Sequence, residues 1–192
     1  MAEESIRGFA LPGEVDGTGL KIGIVRSSWN AKVMECLEEG ARDVLVNCGV
    51  KEEDIITECV AGAYEIPFTV QLLLEKTEVD AVIALGCLIK GETMHFEYIS
   101  EAVTHGLMRL GLDYKKPVIY GVLTVMNEEQ AKARCGLLGD STTFEVDTHV
   151  NNAIHYTQRK RMVINKYKIN TVHHNEAREW AKTAIRQCNI AQ

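Results

Sequence analysis

The chain is predicted to fold as an α/β protein, a three-layer α/β/α sandwich around a mainly parallel four-stranded sheet. Three observations carry this. Short apolar runs alternate with longer segments whose apolar residues recur every three or four positions. The alternation repeats at a spacing that leaves room for a crossover helix between successive strands, the connection that joins parallel neighbours. The third run, Ala81-Val82-Ile83-Ala84-Leu85, is apolar without interruption, as expected of a strand covered on both faces.

Residues 1–19 show neither period. Gly8, Pro12, Gly13, Gly17 and Gly19 give them the composition of an extended arm, so the domain proper is placed at 20–192. Lys21-Ile22-Gly23-Ile24-Val25 reads as the first strand. Val33, Leu37, Ala41, Val44 and Cys48 share one helix face, and Gly49 stops that helix. Residues 55–60 form the second strand. Pro67 suits a first helical turn, where its missing N–H costs nothing, and Val70, Leu73 and Leu74 face inward from that helix. Residues 80–85 form the third strand. Phe96, Ile99, Val103, Leu107 and Leu110 then mark a helix over 94–112. Residues 118–125 are the fourth strand, and Asn127-Glu128-Glu129-Gln130 has the pattern of a capping box opening another helix. A last helix spans about 175–188.

One stretch, residues 140–173, breaks the rhythm. It holds Phe144, Tyr156, Tyr167, the basic run Arg159-Lys160-Arg161 and a candidate strand Met162-Val163-Ile164. A connection this long is unusual inside a compact domain. A surface excursion without catalytic role, a translated intron, and a lid or partner-binding loop are all open readings.

Bulk properties exclude several classes. A net charge of -6 argues against a nucleic-acid-binding surface. No apolar run approaches the length of a membrane span. The first twenty residues lack the basic start and apolar core of a secretory signal. The six Cys are scattered with no CxxC pair, so they are expected to be reduced thiols of a cytoplasmic protein.

The chemistry concentrates in Gly86-Cys87-Leu88-Ile89-Lys90-Gly91-Glu92-Thr93-Met94-His95-Phe96-Glu97-Tyr98, read as buried strand, glycine-bounded loop and helix start. Open α/β sheets bind ligands at the carboxyl ends of their strands. Two glycines, a Thr hydroxyl, helix-start amides and an imidazole can together hold a phosphate and move a proton. Each residue also has a purely structural reading. His95 and Thr93 could cap the helix. Arg134 could be a solvated cation favoured by a helix dipole, and Glu65 a first-turn acid favoured by another. Trp29 and Tyr120 could be core aromatics.

The segment from Leu88 to Ile99 resembles the 6,7-dimethyl-8-ribityllumazine synthase family, in wording most like its fungal branch. Arg26-Ser27-Ser28-Trp29-Asn30, Gly62-Ala63-Tyr64-Glu65-Ile66-Pro67 and Arg134 resemble that family in the same order. The resemblance runs from about 20 to 137, resumes weakly near His174, and implies a flavodoxin-like fold. It implies condensation of 5-amino-6-(D-ribitylamino)uracil with 3,4-dihydroxy-2-butanone 4-phosphate, the penultimate step of riboflavin biosynthesis. In that reaction an imine forms, phosphate leaves, and the ring closes with loss of water. No metal and no cofactor are implied.

By the same resemblance His95 is the proton-transfer group. Glu92, Thr93 and Arg134 contact the phosphate, Glu92 through its backbone. Trp29 stacks on the pyrimidine. Ala63, Tyr64, Glu65, Cys87, Leu88 and Ile89 hold the pyrimidine and its ribityl chain. Tyr120 reaches a neighbouring subunit's site, which implies a homopentamer with a shared active site. In such a ring the arm of residues 1–19 is free to add a strand to a neighbour.

Two departures stand out. Where fungal members read His-Asn-His-Gly-Glu-Glu-Trp, this chain reads His174-Asn175-Glu176-Ala177-Arg178-Glu179-Trp180. Glu176 replaces a basic or histidine position near the phosphate, and Ala177 replaces glycine. The family also joins these elements by a short connection, whereas Arg134 and Asn175 are here 41 positions apart (175 − 134). Besides a working synthase, two other classes are therefore considered: a catalytically impaired flavin- or lumazine-binding oligomer of the same fold, and a generic phosphate-binding module. The ordered set of four motifs disfavours the last.

Overall fold

The four apolar runs pair in parallel into one sheet: β1 (Ile22–Ser27), β2 (Ile55–Val60), β3 (Ala81–Ile89) and β4 (Val118–Val125), in the order β2-β1-β3-β4. The computed structural model describes residues 15–137 and 175–191. The arm up to residue 14 and the stretch 140–173, with its candidate strand, lie outside the described residues.

Five helices cover the sheet: α1 (Ala31–Asn47), α2 (Ile66–Lys76), α3 (His95–Tyr114), α4 (Glu128–Cys135) and α5 (Glu176–Ala191). The two-residue alternation of a strand sorts the core into two layers. Ile22 and Ile24 of β1, with Ala81, Ile83 and Leu85 of β3, pack under α1, α4 and α5. Val25, Val82 and Ala84 pack on the opposite face under α2 and α3. This is the expected three-layer sandwich. The strand order reverses direction at β1, which places the topological switch point at the carboxyl ends of β1 and β3.

One boundary differs from the sequence reading in a way that matters. Gly86 was expected to open a loop, yet β3 continues to Ile89 and pairs with β4 as far as Val125. Gly86 is a packing residue. A Cβ there would sit 3.1 Å from Val122 and 3.2 Å from Ile66, so any larger residue would press its neighbours aside by a few tenths of an ångström. Cys87, Leu88 and Ile89 are therefore strand residues, and the loop is shortened to residues 90–94.

Two close approaches fix α5. A Cβ on Gly121 would fall 2.8 Å from Trp180 Cε3 and 2.7 Å from the Ala84 carbonyl oxygen, so the indole of α5 lies directly on β4. A Cβ on Gly40 would fall 2.5 Å from Asn175 Nδ2. The Asn175 side chain occupies that space to donate to the Cys36 carbonyl at 2.9 Å and accept from Ala177 N at 3.0 Å. Asn175 thus caps α5 and ties it to α1. The last residues of the arm are also docked: Gly17 N donates to the Cys48 carbonyl at 2.7 Å, and Asn189 Nδ2 to the Asp16 carbonyl at 3.1 Å.

Candidate active site

The loops after all four strands open on the same edge of a parallel sheet, so the sequence motifs converge without long-range coincidence. Hydrogen bonds lace the strand ends together. Ser28 donates from both N and Oγ to the Val60 carbonyl, each at 2.8 Å, joining the β1 loop to the end of β2. Asn30, held at φ 58 in the left-handed region that asparagine tolerates, donates from Nδ2 to the Cys87 carbonyl at 3.0 Å and joins the same loop to β3. Lys90 N donates to the Val125 carbonyl at 2.9 Å, joining β3 to the end of β4.

On this frame Trp29 stands 73% exposed at the mouth of the edge. Its Cδ1 would lie 3.8 Å from a Cβ on Gly62, an ordinary contact distance that places the indole beside the start of the 62–67 segment. An exposed indole beside a bare glycine backbone rules out the core reading for Trp29 and offers a flat surface for a flat ligand. Tyr64 is likewise 61% exposed, while Ala63 is buried beneath it. Both lie in a 3₁₀ turn, Ala63–Glu65, that leads into α2. Glu65 Oε2 accepts from Gly62 N at 2.8 Å. One carboxylate oxygen therefore shapes the loop itself, a local role the sequence reading had not assigned.

Cys87 is buried, and burial pushes its thiol up to about 11, so it is a neutral thiol at physiological pH. Its carbonyl already accepts from Asn30. Leu88 and Ile89 are half-buried. Beyond them the loop exposes Gly91, Glu92, Thr93 and Met94 before α3 begins at His95, which is exposed. His95 N donates to Thr93 Oγ1 at 3.4 Å, so the capping reading of Thr93 is realised in part and the imidazole stands at the first helical position.

Two cations border this edge, and both have acidic partners. Lys90 Nζ makes a hydrogen-bonded ion pair with Glu97, reaches the Thr93 carbonyl at 3.3 Å, and lies 5.8 Å from the Phe96 ring centroid. The Lys90 ammonium holds the Glu97 carboxyl below its usual range. This clamp closes the 90–94 loop onto α3, and sequence reasoning missed it because the partners are seven positions apart across a helix start. On the β4 side, Asn127 Oδ1 accepts from Gln130 N at 2.9 Å, while Gln130 Oε1 accepts from Met126 N at 2.9 Å. The capping box is present, with its return bond one residue earlier than the standard pattern. The helix it opens carries Arg134 in its last turn. Arg134 Nη1 donates to the Gln130 carbonyl at 3.2 Å, and Nε lies 3.6 Å from Glu176 Oε1.

Tyr120 is the one candidate the fold leaves apart within the chain. It pairs with Ala84 in mid-sheet, five residues before the end of β4, roughly 17 Å from the strand end at 3.3 Å per residue. It is 37% exposed, and its hydroxyl accepts from Thr104 Oγ1 at 3.0 Å. A groove of about 490 Å³ between α2 and α3, lined in part by Pro67, Phe68, Gly106 and Leu110, shares only Tyr64 with the strand-end cluster. The strand-end cluster offers an imidazole, a hydroxyl and backbone amides, and the Arg134 guanidinium stands in the last turn of α4 beyond it. That set suits an anion beside a planar ring.

A sequence profile of the 6,7-dimethyl-8-ribityllumazine synthase family matches residues 19–161. Among curated proteins, the 6,7-dimethyl-8-ribityllumazine synthase of Pyricularia oryzae is 40% identical over 166 residues, covering 68% of this chain and 83% of that relative. The same enzyme of Schizosaccharomyces pombe is 50% identical over 129 residues, covering 67% and 81%. That of Porphyromonas gingivalis is 44% identical over 120 residues, covering 62% and 74%. With the parallel sheet, the four motifs at its carboxyl edge and these relatives together, the chain belongs to the 6,7-dimethyl-8-ribityllumazine synthase family.

Proposed function

We infer that the chain is a working lumazine synthase, condensing 5-amino-6-(D-ribitylamino)uracil with 3,4-dihydroxy-2-butanone 4-phosphate. The observation that supports this is that the loops after β1, β2 and β3, which carry Trp29, Tyr64 and His95, open on one sheet edge, while Arg134 stands in the last turn of the helix that follows β4. Trp29 takes the pyrimidine face, and Ala63, Tyr64 and Glu65, with the backbone of Cys87, Leu88 and Ile89, take its substituents. Backbone amides at Glu92 and Thr93, the Thr93 hydroxyl and the Arg134 guanidinium take the phosphate, which a guanidinium can grip in bidentate fashion. Holding two reactants in register can supply about 7 kcal/mol or more of the barrier. His95 shuttles protons as the imine forms, phosphate departs and the ring closes. An imidazole ordinarily titrates near neutrality, so it can accept and donate within one turnover.

A homo-oligomer completes the site. Besides its buried stripe, α3 presents Tyr98, Met108 and Leu112 outward, with Met94 just before its start, each more than half exposed, and Phe68 of α2 is exposed as well. Glu101 and His105 lie between Tyr98 and Met108 on the same face, so this is a mixed apolar and charged surface whose large exposed side chains support a neighbour. Tyr120, unused by its own strand-end cluster, fits a shared site in a homopentamer. Among the described residues no helix is long and apolar enough to cross a membrane. Free thiols at all six Cys support a cytoplasmic setting.

The test is turnover of the full chain with both substrates, beside binding of a ribityl-pyrimidine analogue. Product formation supports the enzyme. Analogue binding without turnover would make the chain an impaired binding oligomer instead.

A further inference from the structure

We propose that Glu176 sets the affinity of the phosphate subsite by competing with substrate phosphate for the Arg134 guanidinium. The inference rests on Arg134 as the phosphate-binding group.

The pairing is built by the backbone. Cys135 and Asn175 form an isolated antiparallel bridge. The bridge sets the end of α4 against the start of α5, so Arg134 in the last turn of one helix and Glu176 at the first position of the other are brought side by side. Asn175 holds that arrangement through its cap on Ala177 N and its bond to the Cys36 carbonyl. The result is Nε to Oε1 at 3.6 Å, with the side chains 43% and 31% exposed. The Gln130 carbonyl takes a second donor of the same guanidinium. A phosphate seeking a two-point grip must therefore displace the carboxylate or share the guanidinium with it.

Two charge effects then point the same way. The carboxylate neutralises the cation that phosphate needs, and it stands as a like charge beside the incoming dianion. At a partly exposed site each effect is modest and screened by salt. The positive N-terminus of α5 favours Glu176 where it is, so the acid has no local reason to swing away. Neutral substrates do not feel this competition. Glu176 should weaken the butanone phosphate and leave the pyrimidine unaffected.

The experiment is calorimetric titration of the full-length chain with inorganic phosphate at fixed pH and salt. The proteins compared are the unmodified chain, Glu176→Gln, Arg134→Ala and the double variant. Glu176→Gln should bind phosphate about fivefold more tightly, the scale of a partly exposed ion pair. The gain should shrink at high salt, and when Arg134 is Ala it should fall to the smaller part that comes from direct repulsion of the phosphate by the carboxylate. In turnover, the KM for the butanone phosphate should fall similarly while that for the pyrimidine stays constant. Glu176→Ser removes the same charge with a residue suited to a first helical turn, and it decides the matter if the Gln variant folds poorly. Unchanged or weaker phosphate binding without the carboxylate would overturn the proposal, because Glu176 would then merely orient Arg134. If Arg134→Ala itself binds phosphate normally, the phosphate role of Arg134 falls and takes this inference with it.

Discussion

At the scale of single residues, chemistry and sequence position coincide for most of the cluster. His95, Thr93 and Glu92 are contiguous, and so are Ala63, Tyr64 and Glu65. A loop at a parallel strand's carboxyl end delivers such neighbours to one place whatever the rest of the chain does. The structural alternatives were also decided here. Trp29 is exposed beside Gly62, which removes the core reading. What was illegible is pairing across distance. Nothing local in the sequence couples Lys90 to Glu97 or aims Glu176 at Arg134; the first depends on a loop folding back onto a helix, the second on a bridge between residues 40 positions apart (175 − 135). For His95→Ala the expected outcome is an intact fold and a turnover number reduced by about 10² to 10⁴-fold, the usual weight of general acid–base catalysis. Residual activity should remain, because Trp29 and the phosphate subsite still align the substrates. Unchanged turnover would remove His95 from proton transfer.

At the scale of elements, sequence pattern located the four described strands and five α-helices, α4 by its capping box rather than by periodicity, but not the short 3₁₀ turns, and two strands match to the residue at 55–60 and 118–125. The error at Gly86 is instructive. Glycine breaks strands in general, but here the missing side chain is what admits Val122 and Ile66 against the backbone. Sequence alone cannot tell a glycine used for a turn from one used for close approach. Gly121 is the second example, since it makes room for Trp180. Gly121→Ala should therefore destabilise the chain by about 1–3 kcal/mol, the usual cost of overpacking. Gly91→Ala, where an added Cβ meets nothing within 4 Å, should change stability little. Denaturant unfolding of the two variants side by side checks this. Equal midpoints would mean that α5 shifts off β4 at no cost.

At the scale of the whole molecule, the outward stripe on α3 and the isolated position of Tyr120 both look to a second copy of the chain. Closed rings repeat every contact, so a face that satisfies one neighbour satisfies all. The family resemblance implies pentamers, some of which pack further into hollow shells with the connection before the last helix at the contact between pentamers. In this chain that connection carries the 140–173 stretch, and added bulk at a repeated contact is repeated with it. The expected assembly is a free homopentamer. Native mass spectrometry should give a mass near five times 21.4 kDa. A much larger closed particle would contradict the bulk argument, and an active monomer would contradict the shared site.

Turnover is the most direct readout of whether the chain performs this condensation. The full-length chain is supplied with 5-amino-6-(D-ribitylamino)uracil and 3,4-dihydroxy-2-butanone 4-phosphate, and formation of 6,7-dimethyl-8-ribityllumazine is followed against the uncatalysed background. The predicted result is product formation that saturates in both substrates and releases one phosphate per lumazine. Saturable binding of the pyrimidine with product no faster than background would contradict it.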